Sequence, residues 1–256
     1  MPVTDLSLLI DAAQAASKIA VSHWNADPTV WTKDGGSPVS EADLAVDVFL
    51  KERLMAARPN YGWLSEETED GPERLGNDRV FIVDPIDGTR AYIDGQRAWA
   101  LSLAVVEHGV PTAGVVYLPM LDRLYAAARG KGATLNREPI EASGRAKPDG
   151  ATMLAPTRSL DPKWWPGGLP GLERHFRPSL AYRFCLVAEG RFDGMLTLSD
   201  AWEWDIAAGA LIAEEAGARV TDRHGAALRM NAERPKAPGM LTAPPVLHAD
   251  LIARLI

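Results

Sequence analysis

The run Arg79-Val80-Phe81-Ile82-Val83-Asp84-Pro85-Ile86-Asp87-Gly88-Thr89 constrains the fold of this chain more than any other. Its first half is β-branched and aromatic and reads as a buried strand, so the carboxylate at its end must lie where the core meets something polar. Pro85 fixes φ and removes a backbone donor, which predicts an immediate turn that brings Asp87 back beside Asp84. Two adjacent carboxylates repel unless a cation lies between them. Hard divalent ions prefer oxygen ligands and would resolve the repulsion, with the carbonyl of Ile86 as a further oxygen in reach. Gly88 and Thr89 then offer backbone N–H groups at the start of a short helical turn, which suits an anion, and the Thr89 hydroxyl can hold a water. Taken alone, the same residues also fit a polar turn whose aspartates merely cap the backbone.

Other acidic positions shift that balance. Glu66 and Glu67 follow the β-like run Trp63-Leu64-Ser65; by themselves they read as solvated charges, though either can serve as a third ligand. Asp205 opens a strongly apolar helix, where the positive end of the dipole explains a carboxylate without any ion. Asp43 follows Ser40 at the spacing of a capping box, which accounts for it locally.

Around these positions the chain divides by texture. Leu6, Leu9, Ala13, Ala16 and Ala20 predict an amphipathic helix over 4–24, and Val46, Phe49, Leu50, Leu54 and Ala57 a second helix that Pro59 stops. From Tyr61 to Ala128, short β-rich runs separated by Gly, Pro or Asp predict a largely antiparallel sheet. Gly, Lys, Arg and Pro cluster between Gly130 and Pro148, and a boundary there divides the chain into 1–140 and 141–256. In the second part strand-like and helix-like runs alternate, while 163–178 reads as a loop because prolines and glycines interrupt any period. The expected class is α/β, with an α+β first half and an α/β second half completing the site.

Composition removes several possibilities. The chain has 256 residues, 46% of them hydrophobic, enough for a sizeable core. No run approaches the ~20 apolar residues of a spanning helix. A net charge of −7 does not suit a surface that tracks a nucleic-acid polymer, but is no obstacle to a small anion if divalent ions cancel the charge locally. The single cysteine, Cys185, can form no internal disulfide and reads as a small buried hydrophobe. With an N-terminus lacking the features of a signal peptide, it points to the cytoplasm. The histidines show no ligand spacing, and Trp164-Trp165 beside Pro166 reads as loop packing.

Together, WLSEET (63–68), VDPIDGTRAYI (83–93) and WEWDIAAGALIAEEAG (202–217) resemble, in order and spacing, the signature regions of the inositol monophosphatase-like superfamily of Mg²⁺-dependent, typically Li⁺-sensitive phosphatases. Lys33 and PVSEAD (38–43) extend the match over most of the chain. The resemblance implies a layered α-β-α-β-α sandwich, two or three Mg²⁺ per active site and a small-molecule phosphate ester as substrate, and it is compatible with a homodimer. It implies Glu66, Asp84 and the carbonyl of Ile86 as ligands of a first ion, and Asp84, Asp87 and Asp205 as ligands of a second. Glu66, Thr89 and Asp43 are the expected catalytic residues. Thr89 resembles the threonine that bonds the nucleophilic water and Asp43 the aspartate that orients it, capping through one oxygen and bonding through the other. Glu67 matches a supporting acidic position, and Lys33 belongs to the same support. The implied reaction is in-line attack of a metal-bound water on a phosphate monoester, without a phosphoenzyme.

The residues that follow bear on the ester. Arg90-Ala91-Tyr92 resembles the cation-x-aromatic continuation of the bacterial 3'(2'),5'-bisphosphate nucleotidase branch, as does LAYRFCLVAEGRFD (180–193). The chain departs from that branch at 179–183, where Ser-Leu-Ala-Tyr-Arg replaces Gly-Ser-Ser-Leu-Lys. Leu198 stands seven residues before Asp205, where inositol phosphatases carry a glutamate for sugar hydroxyls. The expected substrate is adenosine 3',5'-bisphosphate, contacted by Asp87, Gly88, Thr89, Arg90 and Arg183. Inositol 1-phosphate or another sugar phosphate is the alternative, and a non-catalytic phosphate-ester-binding protein a more distant one. Haloacid dehalogenase-like enzymes space their aspartates as D-x-D, whereas this chain has D-x-x-D.

Overall fold

The computed structural model describes residues 4–24, 26, 28–33 and 36–255; positions 1–3 of the N-terminal stretch read above lie outside them. The first predicted helix is α1 (Asp5–Trp24), whose buried face is largely alanine and therefore lies close to its neighbours. A ribbon of β1 (Val30–Thr32) and β2 (Pro38–Ser40) leads into α2 (Glu41–Ala57). The first sheet follows in chain order: β3 (Gly62–Ser65), β4 (Arg79–Asp87), β5 (Ala100–Glu107), β6 (Val110–Leu118), β7 (Arg123–Ala128), β8 (Ala133–Leu135) and β9 (Glu138–Ile140), with α3 (Thr89–Ile93) between β4 and β5. All its pairs are antiparallel except β3 with β4, because the long 66–78 connection returns the chain to the same end of the sheet.

The second sheet is mixed, in the order β11 (Glu173–His175), β10 (Thr152–Leu154), β12 (Gly194–Thr197), β16 (Met240–Ala243), β14 (Arg219–Thr221). Between these run α4 (Leu180–Ala188), α5 (Glu203–Glu215), and a ribbon of β13 (Ala201–Trp202) with β15 (Lys236–Ala237); α6 (Pro245–Arg254) ends the fold. Two expectations are corrected here. The segment 163–178 is not all loop: Glu173–His175 pairs parallel with β10 as an edge strand, which needs bonding on one side only and here buries no side chain. The apolar helix that Asp205 was expected to open begins at Glu203, directly after Ala201 and Trp202, which are held in the ribbon.

Three cores define the layers. α1 and α2 cover one face of the first sheet over Phe81, Val83, Leu103 and Val115. α4 and α5 cover its other face over Ile82, Ala104 and Val116, and meet the second sheet through Leu154, Met195 and Met240. α6 closes the far side by packing Leu247 and Leu251 on Met153, Leu196 and Leu241. The result is the α-β-α-β-α sandwich that the resemblance implied. Since α5 lies between two sheets it is apolar all round, which is why its sequence shows no polar stripe. A Cβ on Gly209 would sit 2.8 Å from Cβ of Phe184, so the close contact of α5 with α4 depends on glycine. This middle layer carries the N-termini of α4 and α5 to the end of β4.

Candidate active site

β4 does not turn at Pro85. It continues to Asp87 through a bulge: Asp84 pairs with Ser102 and Asp87 with Ala100, so three steps on β4 match two on β5. Pro85 has no N–H for the ladder, and the extra residue absorbs the gap. The sharp turn comes instead at Gly88, whose φ of 96° is costly for any other residue.

Asp84 sits at the centre of the site. It is 1% exposed, and neither carboxylate oxygen has a hydrogen-bond partner. One ligand atom each from Glu66, Asp84 and Asp205 lie within 4.8 Å of one another. Glu66 is placed by the end of β3, its amide donating to the carbonyl of Val83 at 3.2 Å. Asp205 is placed by the first turn of α5, where its carboxylate meets the amide of Trp202. Burial, followed by the charges of Glu66, Asp87, Asp205 and Asp43, holds the Asp84 carboxyl well above the ordinary range. Asp205 is raised by burial and then by Asp87 and Glu66. The idealised cost of moving such a group from water to a dry interior is ~20 kcal/mol, and several kcal/mol survive relaxation. A cation among the three removes that penalty.

Asp87, expected as a metal ligand, is not among the three converging atoms. Its Oδ2 accepts from the Ser179 hydroxyl and the Ala181 amide, both at 2.6 Å, and its Oδ1 from the Leu180 amide at 3.2 Å. The carboxylate thus also caps the positive end of α4. Asp87 also lines the cleft, and its Oδ1, with one partner, keeps a lone pair uncommitted. The Ile86 carbonyl lies 3.1 Å from the Thr89 hydroxyl, one of two acceptors within reach of its single proton.

The same hydroxyl lies 3.2 Å from Asp43 Oδ1. Asp43 Oδ2 accepts from the amide of Ser40 at 2.8 Å and from its hydroxyl at 2.5 Å, within the expected capping box. One oxygen therefore caps α2 while the other faces Thr89. Burial pushes the Asp43 carboxyl up to about 6, against the pull of the Ser40 hydrogen bonds. Lys33 Nζ bridges Glu66 (3.1 Å) and Glu67 (2.7 Å). Glu67 is raised to about 7 by burial, with the Lys33 hydrogen bond opposing.

Glu66, Asp84, Asp87, Thr89 and Asp205 line a cleft of about 760 Å³. Arg90 lines it too, but Arg183 does not: its Nε donates to the carbonyl of Arg177 at 2.6 Å, one terminal NH₂ to that of Pro178 at 3.2 Å, and the guanidinium stacks 4.4 Å over Phe176. Tyr92 is in the core, donating to the carbonyl of Ala20, and Leu198 is in the core beneath α6. Sequence reading missed Phe176, Arg177, Asp94 and Gln96 on the cleft wall and Ser179 on Asp87. The available signal was Ser179 at the spacing of a helix cap, preceded by cations and an aromatic. Among the described residues no helix is long and apolar enough to cross a membrane.

The inositol monophosphatase family model matches residues 3–255. Histidinol-phosphatase of Chlorobaculum parvum is 30% identical, over 98% of this chain and 96% of its own. Inositol-1-monophosphatase of Rhizobium meliloti is 36% identical over 197 residues, 73% of either chain. Among solved structures, the extragenic suppressor protein SuhB of Bartonella henselae superposes with a TM-score of 0.82 at 27% identity, covering 96% of both chains.

Proposed function

The chain belongs to the inositol monophosphatase family of phosphatases, and on that premise we propose that it is a Mg²⁺-dependent phosphomonoesterase that removes the 3'-phosphate of adenosine 3',5'-bisphosphate. The observation that carries the metal dependence is Asp84, buried with both oxygens unpartnered and facing Glu66 and Asp205. An all-oxygen, multiply anionic donor set fits Mg²⁺ and does not fit the softer metals that choose sulfur or imidazole. Glu66, Asp84 and the Ile86 carbonyl would hold one ion, and Asp84, Asp87 and Asp205 a second. When bound, Mg²⁺ supplies Lewis acidity, lowering the pKa of water and offsetting charge on the phosphoryl and leaving oxygens.

The protein's own part is positioning. With its proton directed to Asp43 Oδ1, the Thr89 hydroxyl presents lone pairs that accept from, and so orient, the attacking water. Asp43, held by Ser40, fixes that direction. Lys33 keeps Glu66 and Glu67 together at the mouth.

The substrate assignment rests on the cleft wall. Arg90 and Arg177 both line it, two cations that can pair with a second phosphate. The exposed ring of Phe176, backed by Arg183, offers a flat face to a purine. Leu198, buried beneath α6, is not on that wall, which therefore has no carboxylate from this position to meet a polyol. One observation favours histidinol phosphate as a second reading: Asp94 on the wall can pair with an ammonium group, and a histidinol-phosphatase aligns along nearly the whole chain.

The test is phosphate release from adenosine 3',5'-bisphosphate, histidinol phosphate and inositol 1-phosphate side by side, with Mg²⁺ and with added Li⁺. The bisphosphate is expected to give the highest kcat/KM, and Li⁺ to inhibit. Arg90→Ala is expected to raise KM for the bisphosphate more than for the monophosphates. A higher kcat/KM for histidinol phosphate would transfer the assignment to it.

A further inference from the structure

Beyond Ser65 the ladder of β3 ends, and no regular structure holds Glu66 and Glu67 except the single Glu66 amide bond to β4. One carboxylate grips the chain on both sides of them. Asp47, buried on α2 one helical turn beyond Asp43, accepts from the Ser65 hydroxyl through Oδ1 at 2.5 Å and from the Thr68 hydroxyl through Oδ2 at 2.6 Å. Trp63 Nε1 donates to the Thr68 oxygen at 3.1 Å, so that hydroxyl's proton is free to point only at Asp47. The Ser65 oxygen in turn receives the Glu67 amide at 3.5 Å.

We infer that Asp47 is a positioning residue for the metal site, fixing the Ser65–Thr68 span so that the Glu66 carboxylate meets Asp84 and Asp205. One turn of α2 then serves both sides of the reaction: Asp43 aims Thr89, and Asp47 aims Glu66. The geometry has the form of an outer hydrogen-bonded support, whose removal from metal sites commonly costs ~10–100-fold in metal affinity. Lys33 does not substitute for it, because a half-buried ion pair made by a long flexible side chain tolerates movement that two short buried hydrogen bonds do not.

The inference rests on the reading of Glu66 as a ligand, and the experiment separates the two. Isothermal titration of Mg²⁺ is compared in the wild type, Asp47→Ala, Ser65→Ala/Thr68→Val and Glu66→Gln, with a thermal melt of each metal-free protein. Asp47→Ala and the Ser65/Thr68 double variant are both expected to raise the Mg²⁺ Kd ~10–100-fold. Combining them is expected to add little, since each removes the same two bonds. Asp47→Asn, which keeps one acceptor, should fall between wild type and Asp47→Ala. If Asp47→Ala does not fold, the Ser65/Thr68 variant, a small truncation, carries the comparison. Weakened binding in Glu66→Gln but wild-type affinity in the Asp47 or Ser65/Thr68 variants, even at a lower melting temperature, overturns the inference alone. Wild-type affinity in Glu66→Gln overturns the ligand reading and the inference with it.

Discussion

The hydroxyl of Thr89 and the Oδ1 of Asp43 lie 3.2 Å apart, joining the turn after β4 to the first turn of α2 across 46 positions of sequence. If this pair orients the attacking water, Thr89→Ala should lower kcat by ~10²–10⁴-fold with little change in KM, and Thr89→Ser should keep most of the activity. Steady-state kinetics on the three variants, wild type included, checks it. Equal activity of the alanine and serine variants would remove the hydroxyl from the mechanism.

Asp84 is buried with neither carboxylate oxygen partnered. Mg²⁺ at 100 times its Kd stabilises a binding-competent fold by ~2.7 kcal/mol, a rise of roughly 5–10 °C in melting temperature for a chain of this size. Asp84→Asn should melt higher than wild type without metal and gain nothing when Mg²⁺ is added. A wild-type melt insensitive to Mg²⁺ would contradict the assignment.

Asp87 and Asp205 should behave differently. Asp87 caps α4 through Ser179, Leu180 and Ala181, so Asp87→Ala is expected to cost ~1–2 kcal/mol of stability as well as activity. Asp205→Asn should lose at least ~10–100-fold in activity and melt no lower than wild type in the absence of metal. Urea denaturation of the metal-free variants distinguishes them; equal stability would mean that the cap on α4 contributes nothing.

His248 supplies a pH dependence remote from the site. It is buried on α6, its Nε2 lying 2.9 Å from the Thr221 hydroxyl, and burial, with Arg219 adding to it, holds its pKa down to about 4. The unfolded chain takes up the proton near ~6.5, before the folded one does. The contribution of His248 is therefore fully present above that pH and is lost as pH falls towards 4. His248→Gln should flatten the fall in stability between pH 6.5 and 4.5, as measured by urea midpoints. An unchanged slope would exclude this histidine as its source.

What was legible in the sequence was mostly local. The strand of Val80–Val83, the carboxylate at its end and the capping box of Ser40 and Asp43 follow from residue type and spacing over a few positions. The dual use of Asp43 came from the family resemblance, since spacing alone accounted only for its cap. The cap that Asp87 provides on α4 was not legible, since its partner Ser179 is 92 positions away and nothing near either residue announces the other. Arg183 showed its charge but not its direction, and in the fold it faces the carbonyls of 177 and 178. The edge strand β11 escaped notice because all its side chains are exposed, so no apolar alternation marks it. Pro85 was read as a turn because its effect on an isolated chain is to bend it; paired with β5, the strand accommodates it as a bulge.

The central claim, that the acidic cluster around Asp84 makes this protein a metal-dependent phosphomonoesterase, is tested most directly by phosphate release from adenosine 3',5'-bisphosphate after chelation with EDTA and again after Mg²⁺ is restored. The account predicts that the wild type loses its activity and regains it, while Asp84→Asn regains none. Release that persists undiminished in EDTA, or that Asp84→Asn sustains at the wild-type rate, would contradict it.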